Sequence, residues 1–302
     1  MIGAARSSAV APGVVRLALP GGCNACLLES GDGRFHLVDT GMRVHFEAVR
    51  DAIARRYGPD ARPVAILLTS ARPDHAGCAS ALAAYYDVTV RIADAARPLL
   101  EGRVRWPEPD TAAAGILAPL AFAGPAGVVD PGARIAALED LPEGWEAVDL
   151  PGPGPGHTGF HRAVDGVLIA GDALATRDTE TAWNWLKGTR LALPPGAWIL
   201  DWETLRRTWR RIAAMAPRAL ICGHGEPIVG DDLPDRLATF AETKVMVRTG
   251  SNISYPLRLG PDGRFPVPPP APDPTGRGLT LAAGAFAVGT LIWWVRRGRG
   301  RA

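Results

Sequence analysis

Five short phrases constrain this chain more than anything else in it: LVDTG (37–41), TSARPDHAG (69–77), GHTGFH (156–161), AGDAL (170–174) and CGHG (222–225). Each sets an Asp or a His beside Gly just after an apolar run. Such a run, when short, reads as a buried strand, and Gly lets the backbone turn sharply where the strand stops. Polar side chains carried on loops at successive strand ends converge on one edge of a rigid scaffold. The chain is therefore expected to fold so that distant strand ends share an edge.

The rest of the sequence supplies that scaffold. VVRLAL, ACLLES and FHLVDTG have strand lengths with turns between them, GDGR being the tightest. Val44 to Tyr57 reads as a helix, because Phe46, Val49, Ile53 and Ala54 recur at helical spacing. VAILLTS is then a strand, HAGCASALAAYYD a helix and VTVRIAD the next strand. Pro and Gly interrupt residues 104–149, beyond which GVLIAGDA is another buried strand. DWETLRRTWRRIAAMA opens on Asp201 as an N-cap and sets Leu205, Trp209, Ile212 and Ala213 on one face; RALICGHG returns to strand. The pattern is α/β, in two blocks of strands before helices.

Taken together and in this order, the five phrases resemble the metallo-β-lactamase superfamily over about residues 14–230. That resemblance implies a four-layer αββα sandwich with two metal ions at one edge, between the sheets. It also implies hydrolysis of esters, thioesters, lactones, β-lactams or phosphodiesters. The family's central motif, His-x-His-x-Asp-His, is here Ser70-Ala71-Arg72-Pro73-Asp74-His75, without its first two histidines. By motif position His157 is similar to the third ligand of the first metal, Asp172 to the bridging carboxylate and His224 to the last ligand of the second metal. Asp39 resembles a buried, non-ligating aspartate that supports the motif loop.

The first metal would keep only His157 and Asp172, whereas zinc usually takes three or four protein ligands. The second would keep Asp74, His75, Asp172 and His224, a nitrogen and oxygen set that suits one zinc, with iron or manganese as alternatives. The expected site is mononuclear. Arg72, charged at any ordinary pH, would project toward the vacated first position and pair with Asp172. Chemistry at such a site would rest on a water at the second metal, with Asp74 or Asp172 taking the proton and Arg72 or His157 stabilising the oxyanion. Ser70 is too short to replace an imidazole and is expected to hydrogen-bond nearby.

Plainer roles exist for each residue. Asp74 suits a helix cap, and His75, His157 and His224 could each be core histidines, although three in matching Gly-flanked phrases argue otherwise. His161 reads as structural, and His36 and His45 as surface or packing residues. Trp183, Trp185 and Trp198 fall where relatives build substrate-contacting segments, with core packing the default. Cys23 and Cys26 form a lone Cys-x-x-Cys without the second pair a structural zinc needs, and read as buried small residues.

Three functions follow from these readings. The first is a single-metal hydrolase acting on a small-molecule ester, thioester or lactam-like substrate. The second is a catalytically silent binding protein with Arg72 in the vacated site. The third, a phosphodiesterase or nuclease, ranks lower because that chemistry usually uses two metals. Net charge of +2 from 33 basic and 31 acidic residues, well mixed except at the end, gives no reason to expect a nucleic-acid partner.

The expected organisation is a metallo-β-lactamase-like domain over 1–250, a Pro/Gly-rich linker over 251–277, a transmembrane helix over 278–295 and a basic tail over 296–302. Residues 278–295 carry no charge, and Trp293 and Trp294 precede four arginines. Eighteen residues at 1.5 Å each span roughly 27 Å, close to the hydrocarbon thickness of a bilayer. The arginine tail favours a cytoplasmic C-terminus by the positive-inside rule. VVRLALP, however, is too short for an export signal, and the cysteines show no disulfide pattern. The expectation is a C-terminal membrane anchor with the main domain cytoplasmic.

Overall fold

The computed structural model describes residues 3–104, 106, 134–177 and 188–243. Strands β1 (Arg6–Ala11), β2 (Val14–Ala18), β3 (Asn24–Glu29) and β4 (Phe35–Val38) form an antiparallel meander. Onto it β5 (Ala65–Leu67), β6 (Thr89–Arg91) and β7 (Ile135–Ala136) add in parallel, giving a sheet in the order β1 to β7. A second sheet holds β8 (Trp145–Asp149), β9 (Thr158–Arg162), β10 (Val167–Gly171), β11 (Ala219–Cys222) and β12 (Ile228–Val229), in the order β12-β11-β10-β9-β8. Here β10 and β11 run parallel and the other pairs antiparallel.

The period-2 alternation of these strands decides the layering. Cys26, Leu28, Val38, Ala65 and Leu67 from the first sheet meet Phe160, Val167, Ile169, Ala219 and Ile221 from the second in one buried cluster. Their neighbours Leu27, Leu37 and Ile66 face the other way, onto helices α1 (Phe46–Tyr57) and α3 (Ala79–Tyr86), through Val49, Ile53 and Leu82. Leu168, Ala170, Leu220 and Cys222 likewise turn outward, onto α5 (Trp202–Ala214) and α6 (Leu233–Thr243), through Leu205, Trp209, Ile212 and Phe240. Two short helices, α2 (Pro73–Ala76) and α4 (Arg97–Leu100), follow β5 and β6. The layers are αββα, as expected. Burying a side chain such as Phe160 fully contributes roughly 1.5–3 kcal/mol, so the alternation alone makes a register slip costly.

Local details follow from particular residues. Asp201 caps α5, its Oδ1 accepting from Thr204 N at 2.9 Å, a contact typically worth about 1 kcal/mol. Trp209 on that helix donates from Nε1 to Ala173 O at 2.7 Å, pinning α5 beside Asp172. The helix expected from Val44 begins instead as a 3-10 turn at Arg43–His45. The single helix expected over residues 75–87 is broken into α2 and α3. At Gly77 the backbone passes so close to Arg43 that a Cβ would stand 2.6 Å from its amide nitrogen. β1, mostly exposed and without an apolar pattern, had no sequence signal.

His36 and His45 are both buried packing residues, and His161 bonds Glu146 Oε1 at 2.9 Å. Cys23, Cys26, Cys78 and Cys222 are buried and free. Among the described residues no helix is long and apolar enough to cross a membrane. The linker, span and tail expected over 251–302 lie outside the described residues, as do Trp183 and Trp185.

Candidate metal centre

Parallel pairing brings the C-terminal ends of β4 and β5 to the same edge, and does the same for β10 and β11 in the facing sheet. The residues that follow those four ends carry four of the five phrases; the fifth, GHTGFH, opens β9, whose antiparallel pairing with β10 brings its start to the same edge. The two edges are tied together across the gap: Thr158 N donates to Thr69 O at 2.9 Å, and Asn24 N to Gly223 O at 2.9 Å.

Asp39, just past β4, is buried and sits in the left-handed region at φ 56°. Its Oδ1 accepts from Thr69 N at 2.9 Å, and its Oδ2 faces Thr69 Oγ1 at 2.7 Å and His75 Nδ1 at 2.8 Å. The imidazole thus donates from Nδ1 to a carboxylate, which turns Nε2 toward the other three residues. His224 is set similarly by backbone. Its Nδ1 points to Gly22 O at 3.3 Å, and its Nε2 lies 3.2 Å from Asp74 Oδ2 and 3.6 Å from Asp172 Oδ1. Asp74 lies in the first turn of α2, whose N-cap position is held by Arg72, with no side-chain cap bond. The carboxylate of Asp74 turns instead toward Arg72 and His224.

Asp74, His75, Asp172 and His224 therefore meet, with one ligand atom of each all within 4.8 Å of one another. Gly223 is required for this closeness, since a Cβ there would collide with Asp172 Oδ1 and stand 2.7 Å from His75 Cε1. Asp172 Oδ1 is buried without a hydrogen-bond partner, and His75 Nε2 has only Asp172 Oδ2, 3.2 Å away, as an ion-pair partner. Leaving a buried acceptor such as Asp172 Oδ1 unsatisfied costs about 1–3 kcal/mol, and a bound cation would satisfy it. The donor set fits a metal ion.

Arg72 occupies the neighbouring space. It is buried, with Nη1 on Asp172 Oδ2 and Nη2 on Asp74 Oδ2 at 2.9 Å. The sequence suggested the Asp172 pair; the second, to Asp74, is new. Its guanidinium carbon lies 5.3 Å from the Trp198 ring centroid, so that tryptophan does reach the site. Ser70 Oγ accepts from Arg72 N at 3.2 Å, the local bond expected of it. Trp106, which the sequence did not single out, donates to Ala71 O at 3.2 Å and walls the same loop.

Charge follows from these contacts. Burial would raise the Asp172 carboxyl, but Arg72 first, then His75 and His224, hold it well below the ordinary range. Asp74 is lowered in the same way: burial opposes, while Arg72, His75 and a bond from His224 prevail. Burial would lower His75, yet Asp172, Asp39 and Asp74 together raise it well above an ordinary histidine.

His157 is the exception among the expected ligands. It reaches the site but is not in the four-residue group. Nδ1 donates to Leu150 O at 3.0 Å and Nε2 accepts from the Asp172 amide at 2.9 Å, so neither nitrogen is left for a metal or an oxyanion. Burial, with His75 and Arg72 nearby, lowers its pKa to about 4 despite Asp172. A neutral His157 positions Asp172 through its backbone.

A four-layer αββα sandwich whose facing strand ends bring two imidazoles and two carboxylates together defines a metal-binding α/β protein. The chain belongs to the metallo-beta-lactamase superfamily, whose family model matches residues 18–224. It is 30% identical over 222 residues to the "Probable metallo-hydrolase YflN" of Bacillus subtilis (strain 168), covering 71% of this chain and 84% of that protein. Among solved structures it is similar to a beta-lactamase domain protein from Burkholderia ambifaria, with 25% identity, a TM-score of 0.52 and coverage of 79% and 76% of the two chains. A metallo beta lactamase from Erythrobacter litoralis shares the fold at 18% identity and a TM-score of 0.54, covering 81% of this chain and 99% of its own.

Proposed function

We propose that this chain is a hydrolase that works with a single divalent ion, held by Asp74, His75, Asp172 and His224, on a small ester, thioester or lactam-like substrate. The observation that carries the reading is the convergence of four ligand atoms within 4.8 Å, Asp172 Oδ1 among them buried and without a hydrogen-bond partner, in a group whose two imidazoles are both oriented from behind. The family and its hydrolase relative support it. Two nitrogen and two oxygen donors suit zinc, with iron and manganese also compatible. When bound, the ion would polarise a substrate carbonyl and lower the pKa of a water.

The chain's own residues supply the rest. Asp74 is the more exposed carboxylate, 19% against 0% for Asp172, and Arg72 and His224 both contact its Oδ2, so its other oxygen is the one placed to take the proton. Arg72 brings a fixed positive charge to the place of a first metal and stabilises the developing oxyanion. Asp172 pairs with Arg72 and would also hold the ion, with His157 fixing its amide. Trp198 stacks near the guanidinium and limits its motion.

One observation favours a second reading, a catalytically silent member of the superfamily: Arg72 already neutralises Asp172 and Asp74, both in the proposed ligand set. Metal analysis of the purified full chain separates the two. The hydrolase reading expects about one equivalent per chain, lost in Asp74→Ala and His224→Ala, with turnover in a panel of esters, thioesters and lactams. No metal after growth in zinc- and iron-replete medium would overturn it.

A further inference from the structure

His224 is the one ligand in the group carried by the second sheet's far loop, between two glycines that leave its backbone free to turn. Something must hold that loop. The β2–β3 hairpin of the first sheet reaches across to it through side chains almost completely buried. Asn24 is 4% exposed and Arg16 6%. Asn24 Nδ2 donates to Cys222 O at 2.8 Å and to Gly225 O at 2.7 Å, the carbonyls that bracket Gly223 and His224. Its Oδ1 accepts from Arg16 Nε at 2.8 Å, so both ends of the amide are used and its orientation is fixed. Arg16 goes on to Gly225 O at 3.2 Å and to both carboxylate oxygens of Glu226, Oε1 at 3.1 Å. The backbone continues the strap: Asn24 N donates to Gly223 O, Cys23 and His224 form a bridge, and Gly22 O receives His224 Nδ1.

The geometry points to Asn24 and Arg16 as positioning residues for the metal site. They act through His224, holding its Nε2 toward Asp74 and Asp172 by tying the loop of one sheet to the hairpin of the other. Asn suits this place because a single planar amide can donate to two carbonyls while accepting from Arg16; Asp could accept but not donate. The inference rests on the mononuclear reading above. A group that orients a ligand from behind typically changes metal affinity roughly 10- to 100-fold when it is removed.

The test is cobalt(II) titration of the full-length protein, read by the d–d absorption of the bound ion, for the unaltered chain, Asn24→Ala, Asn24→Asp, His224→Gln and the Asn24→Ala/His224→Gln double variant. Asn24→Ala and Asn24→Asp are expected to weaken cobalt binding roughly 10-fold or more and to alter the absorption band. In the His224→Gln background, Asn24→Ala is expected to have little further effect, because the ligand it positions is gone. An equal fold-loss in both backgrounds, or unchanged affinity and spectrum in a folded Asn24→Ala, would overturn the proposal. Should Asn24→Ala not fold, Glu226→Gln is measured in its place; it loosens the strap at its half-exposed end and is expected to shift the same band. No cobalt binding by the unaltered chain would instead overturn the metal reading, and this inference with it.

Discussion

The imidazole of His75 and the carboxylate of Asp39 lie 2.8 Å apart, fully buried, and this contact decides which ring nitrogen of His75 faces the other ligands. The same carboxylate receives the Thr69 amide and hydroxyl, so it is held from two sides. Asp39→Asn would keep the shape but remove the charge that stabilises the Nδ1 proton. We expect a metal affinity reduced roughly 10- to 100-fold, with little change in fold, as checked by metal-binding titration beside circular dichroism.

Gly223 offers a sharper steric test. Alanine there would put a methyl carbon against Asp172 Oδ1 and 2.7 Å from His75 Cε1, atoms on buried side chains with little room to move. Gly223→Ala is expected to lower metal occupancy well below one equivalent while the protein still purifies folded. Near-normal occupancy would mean that the loop shifts and that the closeness of the four ligands is not required.

His157 gives a pH dependence. Its folded pKa, about 4, lies below its ordinary 6.5, so between those values the unfolded chain binds more protons than the folded one. The stability is present above 6.5 and is lost as pH falls toward 4. At about 1.4 kcal/mol per unit, this amounts to roughly 3 kcal/mol. His157→Gln, which can still donate to Leu150 O and accept from the Asp172 amide, should flatten part of this acid limb in urea melts from pH 7 to 4. Burial also lowers His36 and His45, so some slope would remain.

How much of this was legible in the sequence depends on distance along the chain. Asp74, His75, Asp172 and His224 announced themselves because each stands beside or close to a Gly at a strand end, a local signal. The layering was legible for the same reason, since strand alternation is local. The phrase GHTGFH places His157 at the site, but its ring is captured by Leu150 O and the Asp172 amide, contacts that no local pattern encodes. Asn24 and Arg16 carry no signal at all, because their partners, Cys222, Gly225 and Glu226, lie about two hundred residues away. The break at Gly77 is likewise tertiary, since its amide donates to Gly41 O at 2.8 Å, a partner outside the helix.

Arg72 separates catalysis from binding. In the metal-free protein it is the principal countercharge to Asp172 and Asp74, and removing one partner of a buried ion pair typically costs about 3–5 kcal/mol. Arg72→Met should therefore melt earlier without metal. It should also bind a divalent ion more tightly, because two like unit charges about 4 Å apart repel by on the order of 4 kcal/mol at an effective dielectric of 20, and a divalent ion doubles that. If Arg72 stabilises an oxyanion, kcat should fall about 10²- to 10³-fold in the same variant, fully metal-loaded. Tighter metal with unchanged kcat would leave Arg72 a purely electrostatic substitute.

Stoichiometry tests whether residues 70 and 72 alone set the number of ions. The three carboxylates Asp39, Asp74 and Asp172 carry three negative charges, and Arg72 with one divalent ion supplies three positive ones, so the present site balances with a single metal. Ser70→His/Arg72→His removes that fixed charge and adds two imidazoles on the loop beside Asp172. The centre is then short of positive charge and has new nitrogen donors in the space the guanidinium held. A rise from about one to about two equivalents of zinc per chain is the expected result, measured on the full-length double variant by elemental analysis. A second ion would also require His157 to release the Asp172 amide, so Ser70→His/Arg72→His/His157→Gln should bind the second equivalent more weakly than the double variant. If the double variant stays at one equivalent, the hydrogen bond from the Asp172 amide to His157, and not Arg72, is what keeps the site mononuclear.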